Sequence, residues 1–240
     1  MGSFIRFALF TTIMVSLLVF VIVPVAAGML LGSIANDAGL GRDGVNVSVN
    51  MLGPGLLSGR ADSVNVQGDN VDVPHAVVGH MNVTLGNVSL ADHSFSTVTG
   101  QLTDVTLKGP GGSVVVQSVD LSGPANHMRA TGTVSVSEAK KLVQQVAENV
   151  GVAVDSVQLK NGSLTLVSGS KHTDASLRIA GTALVLDRPG QQSTVLYAPA
   201  PSEDWQLQSV SITTDGIQVG LSVDAASLAH ALDPGQVPAN

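Results

Sequence analysis

The chain has 240 residues, of which 12% are charged and 3% aromatic, and it contains no cysteine. Disulfides, thiolate metal sites and thiol nucleophiles are therefore excluded, and a formal net charge of −7 argues against nucleic acid, whose phosphates call for a basic stripe. A hydrophobic content of 44% is too high for a disordered chain.

Arg6 is the only charged residue before Asp37. Phe7 to Ala35 is uncharged, with a dense apolar centre from Ile13 to Val23. As a helix it would extend roughly 43 Å at about 1.5 Å per residue, enough to cross a bilayer core of about 30 Å. It reads either as an uncleaved anchor or as a signal peptide cut after Val25-Ala26-Ala27. Both readings keep Arg6 inside and place the chain from about residue 36 on the extracytoplasmic side. The expected organisation is a signal-anchor or signal peptide over 1–35, an extracytoplasmic β-rich domain over 36–232 and a flexible tail over 233–240.

Beyond the leader the dominant pattern is alternation with period two. Val45, Val47, Val49 and Met51 alternate with Asn46, Ser48 and Asn50. Met81, Val83 and Leu85 alternate with Asn82 and Thr84, and Ile217, Val219, Leu221 and Val223 repeat the habit. Such strands bury one face and wet the other, as antiparallel sheets do. Turn signals separate them at Gly68-Asp69-Asn70, Gly109-Pro110-Gly111-Gly112, Asn161-Gly162 and Asp215-Gly216. The last two predict type I′ hairpins, whose central residues both need positive φ. The expectation is ten to twelve strands. A Ser-Val-x-aliphatic pattern recurs at 63–66, 118–121, 156–159 and 209–212. Its uneven spacing excludes a solenoid or propeller, and it is short enough to arise by chance.

One segment changes period. Ser135 followed by Glu138 has capping-box spacing. Ala139, Leu142, Val143, Val146, Ala147 and Val150 then recur at helical intervals opposite Lys140, Lys141, Gln144, Gln145, Glu148 and Asn149, and Gly151 supplies a stop. The spacing predicts an amphipathic helix over 135–150. A short helix over 225–232 is a further expectation.

Catalytic signatures are sparse. Ser137-Glu138-Ala139-Lys140 matches Ser-x-x-Lys, but the Lys-Thr-Gly and Ser-Asp-Asn partners that would confirm an acyl-enzyme do not occur. There is no Gly-x-Ser-x-Gly elbow and no Walker loop. The six histidines (His75, His80, His93, His127, His172 and His230) form no ligand motif and read as surface polar residues. Asp69-Asn70-Val71-Asp72 reads as an Asx turn rather than a calcium loop. No enzyme activity, cofactor or metal is expected. The triplets at Asn46, Asn82, Asn87 and Asn161 fit N-glycosylation only in a eukaryotic setting.

Several stretches resemble the extracytoplasmic LmeA-like family, the phospholipid-binding proteins linked to mannan elongation in actinobacteria. They are Leu56 to Val66, Gly86-Asn87-Val88-Ser89-Leu90, the capped helix, Val157 to Leu166, and Trp205 to Val219. The resemblance implies a tubular lipid-binding-like fold, α+β and mostly β. In it a curved antiparallel sheet wraps around one long amphipathic helix, here preceded by an N-terminal membrane helix. Outside the leader only Phe95, Tyr197 and Trp205 are aromatic, which leaves almost no stacking platform for sugar or single-stranded nucleic acid; slender side chains must fill that space and an apolar groove is expected. The expected function is a membrane-anchored phospholipid-binding or carrier domain of the cell envelope, held by residues 7–35, with phospholipid or a lipid-linked precursor as partner. Leu142, Val143, Val146 and Val150 are the expected lipid contacts, because that helix face must meet the sheet. Tyr197 and Trp205 are candidates for a rim at the headgroup layer, or for plugs at the end of the core. The alternative is a structural or partner-binding module with a filled core.

Overall fold

The computed structural model describes residues 45–50, 59–73, 76–89, 94–109, 112–149, 154–198 and 205–224. The expected leader with its membrane helix, the expected helix over 225–232 and the tail over 233–240 lie outside them. Among the described residues no helix is long and apolar enough to cross a membrane.

The chain is mostly β, in two antiparallel sheets. The larger has eight strands in the order β1-β2-β3-β4-β5-β6-β13-β12. These are β1 (Val45–Asn50), β2 (Arg60–Val73), β3 (Ala76–Ser89), β4 (Thr97–Gly109), β5 (Gly112–Pro124), β6 (Met128–Ser135), β12 (Trp205–Thr213) and β13 (Gly216–Val223). The smaller sheet has the order β11-β10-β9-β8-β7, from β7 (Ser156–Lys160), β8 (Ser163–Ser168), β9 (Lys171–Ala180), β10 (Ala183–Asp187) and β11 (Thr194–Tyr197). It packs on β12, chiefly through β9. The β7–β8 hairpin tip adds a backbone bond, with Gly162 N–H donating to the Ile212 carbonyl at 2.8 Å.

The expected sheet wrapped around one long helix is not what forms. The helix α1 (Val136–Asn149) has 14 residues and rests on β7, β13 and β6. At about 1.5 Å per residue it reaches roughly 21 Å. Strands β2 to β5, each of 13 or 14 residues, reach roughly 43 Å at about 3.3 Å per residue. One such helix spans half the length of the strands and cannot be the axis of the sheet. Its start follows the sequence signal: the Glu138 N–H donates to Ser135 Oγ at 3.4 Å. The reciprocal half of the box is missing, because Glu138 Oε1 pairs with Lys141 Nζ at 2.6 Å.

The long strands contain a device that their alternation hides. Gly68-Asp69-Asn70 is no turn, since β2 runs straight through it. Asn70 and Asp104 are both left-handed, with φ of 53° each. Pairing is unshifted on either side of them, Asp69 facing His80 and Val71 facing Val78. The buried positions nevertheless switch parity there: Met81 to Val78 in β3, Leu102 to Val105 in β4 and Val119 to Val116 in β5 are each three apart. The breaks fall on one transverse row, so four strands turn over together and the same face stays apolar through the bend. Normally a one-residue slip would send every following side chain to the wrong face. Asn and Asp are the non-glycine residues that tolerate this backbone best.

The resulting core is aliphatic. Val78, Val88, Val98, Leu102, Val105, Val116, Ala130, Ala139, Leu164 and Leu184 are fully buried, and Phe95 and Trp205 are its aromatics. Hairpin chemistry departs from expectation in detail. At Asn161-Gly162 only Gly162 has positive φ, 77°, so the turn is not type I′. In the β12–β13 hairpin Thr213 pairs with Gly216, which makes Thr214 and Asp215 the loop and Gly216 the first strand residue.

Candidate functional site on the outer face of the large sheet

The face of β2 to β5 opposite the core carries three rows of polar side chains, fixed by register. Asn65, Thr84, Thr99 and Ser122 form one; Gln67, Asn82, Gln101 and Asp120 the next; Asp69, His80, Thr103 and Ser118 the third. Neighbours in such rows touch because facing Cβ atoms lie about 5 Å apart. Asn65 Nδ2 donates to Asn82 Oδ1 at 3.1 Å and to Thr84 Oγ1 at 2.9 Å. Gln101 Nε2 donates to Asp120 Oδ1 at 2.7 Å, and His80 Nδ1 meets Asp69 Oδ1 at 2.6 Å.

A cleft of about 420 Å³ opens on this face, between β3 and β4, with His80, Asn82, Thr84, Thr99, Gln101 and Thr103 on its walls. Gly100 lies in it too, where an added Cβ would come within 2.4 Å of the Asn82 carbonyl oxygen. Asn82 Nδ2, Gln101 Oε1 and the hydroxyls of Thr99 and Thr103 are not engaged by the side-chain bonds of the described residues. They offer donors and acceptors in mixed order.

Asp69, His80 and Thr103 stand side by side in acid, base and hydroxyl order. The Asp69 and His80 side chains are 71% and 67% exposed, so water screens the pair, and no hydrogen bond joins Thr103 to His80 among the described residues. The Asp69 carboxylate holds the His80 imidazole in place. Among the described residues no group of three His, Cys, Asp or Glu could hold a metal ion. The Ser137 hydroxyl lies 3.1 Å from Ser135 Oγ at the start of α1.

A second polar cluster sits on the small sheet. Asp187 accepts from Arg178 and Ser193, and these bonds, Arg178 first, hold its carboxyl below the usual range.

Of the helix residues expected to meet lipid, Val143 alone has a described side chain. Val143 is half-buried and packs against the core. Leu142 and Val146 lie on α1 with side chains outside what is described, and Val150 lies outside altogether. Trp205 is buried, 6% exposed, and opens β12 opposite Val223. Tyr197 ends β11, the edge strand of the small sheet, and its side chain is outside the described residues. The cleft was not visible in the sequence. Asn82 and Thr84 read as the wet face of a strand, and only the register brings Gln101 and Thr99 beside them.

No family model matches the chain, and neither a curated protein nor a solved structure does.

Proposed function

We propose that this chain is a non-catalytic binding module of the cell envelope that presents the outer face of its large sheet to a hydrogen-bonding partner, with its apolar interior serving as packing. The contrast between the two faces supports this reading. One carries aliphatic side chains closed to solvent. The other carries free amide and hydroxyl groups around an open cleft of about 420 Å³. The extracytoplasmic setting rests on the leader.

His80 provides the test. It is exposed on the cleft wall, while His127 and His172 are exposed elsewhere. Diethyl pyrocarbonate should modify all three in the purified full chain. In intact cells producing the chain, His80 alone should be protected relative to the other two. Equal labelling of all three in cells would contradict the reading.

In a second reading the interior holds the acyl chain of a phospholipid or lipid-linked precursor, at about 0.8 kcal/mol per buried methylene. It is favoured by the length of the slender aliphatic face, which α1 spans only in part. That reading requires lipid to travel with the protein through purification.

A further inference from the structure

We infer that the outer-face cleft takes an uncharged polyhydroxylated ligand, such as a segment of neutral oligosaccharide. This rests on the proposed docking role of that face and names the chemistry it selects. The free groups are amides and hydroxyls: Asn82 Nδ2 donates, Gln101 Oε1 accepts, and Thr99 and Thr103 do either. A hydroxyl-rich ligand can satisfy such a mixed set, because each of its hydroxyls also does both.

Charge at the cleft walls disfavours the competing classes, the cation in the first row, exposed Arg129 of β6, lying beyond Ser122. Phosphate, sulfate and carboxylate groups are recognised by cations, preferably a forked guanidinium. The cleft walls carry no Lys or Arg, and His80 is already tied to Asp69. Asp69 and Asp120 border the site and repel anions. A cationic ligand would have to compete with His80 and Gln101 for those same carboxylates. An apolar ligand would bury the free amides without partners, at a cost comparable to the gain from its own burial.

The rows also set the ligand's shape. Successive strands are about 4.8 Å apart, and residues on one face of a strand repeat about every 6.8 Å, so an extended ligand meets a repeating lattice rather than a deep pocket. The walls lack an aromatic platform, so each site is weak, and useful retention comes from several contacts along one polymer.

The experiment is a titration of the isotope-labelled full chain, held in a detergent without a sugar headgroup. Dextran-derived and xylan-derived oligosaccharides are the probes, with dextran sulfate and phosphatidylglycerol vesicles as charged counterparts. The inference predicts saturable NMR shifts at the side-chain amides of Asn82 and Gln101 and at Thr99 and Thr103 with an uncharged probe. Gln101→Ala should weaken them about fivefold, the effect of one hydrogen bond, and His172→Ala should leave them unchanged. Shifts with only the charged probes, or none up to the solubility limit of each sugar, would overturn it. Protection of His80 in cells together with silence toward both sugars would leave the docking face standing and remove this ligand class. Absence of both effects would remove both.

Discussion

Gly79 lies in the bent row of β3, and a Cβ built there would stand 2.7 Å from the Cβ of Asp104 on the neighbouring strand. Gly79→Ala should therefore cost about 1–3 kcal/mol, the usual penalty for overpacking a fixed backbone. Urea denaturation should show that loss, and Asp104→Gly in the same chain should recover most of it. That second change removes the opposing Cβ and relaxes a left-handed backbone at φ 53°. Equal stability of Gly79→Ala and the parent would contradict the tight row. Asp187 makes a second prediction at this scale. Its carboxyl titrates lower in the folded chain than in the unfolded one, so its ion pair contributes fully above the ordinary Asp pKa of about 3.9. The contribution is lost as pH falls through the lower folded value. Asp187→Asn should remove that part of the acid dependence and leave stability at pH 7 little changed, because the pair is exposed. At this scale the sequence was half legible. Gly68-Asp69-Asn70 does carry a left-handed residue, as a turn signal should. A single chain does not reveal that Asp104 repeats the break two strands over in the same row, so the segment looked like the end of a strand.

At the scale of elements, α1 starts where Ser135 and Glu138 said it would, one residue inside the predicted span. Ser135→Ala should lower stability by about 1 kcal/mol, the ordinary worth of an N-cap, and thermal unfolding should show it. No change would mean that β6 and β13 alone hold the helix start. The amphipathic spacing fixed the helix but said nothing of its partners. A face of Ala139 and Val143 fits any apolar surface, and the one it meets belongs to β6, β13 and β7 at one side of the fold. The alternating strands were equally legible, with Met81, Val83 and Leu85 buried as their period required. Two hairpins were located correctly but mistyped, since φ depends on the twist of the flanking strands as well as on the Gly. The β12–β13 hairpin also has a strict requirement the sequence did not disclose. An added Cβ at Gly216 would fall 1.9 Å from the Val134 carbonyl oxygen.

At the scale of the molecule, two sheets meeting at β12 enclose an aliphatic interior, and the described core contains Leu102 at 0% exposure. Leu102→Ala should cost about 2–5 kcal/mol in denaturant unfolding, since packed surroundings close only partly over the space left behind. A much smaller loss would indicate slack in the interior and favour an occupant there. The expectation of a groove came from counting slender side chains around an imagined central helix. Composition gave the right core residues, but the geometry that would have made them inadequate does not form. The polar cleft was illegible for the complementary reason. Asn82 and Gln101 are 19 positions apart, and only the pairing of β3 with β4 makes them neighbours.

The most direct measurement is native mass spectrometry of the full chain, extracted from its own membranes without a delipidation step. A closed interior predicts the bare protein mass, with any lipid adducts scattered in number and stripped by mild activation. A single phospholipid or lipid-linked precursor retained at one per chain, and lost only on unfolding, would contradict it and put the ligand inside the fold.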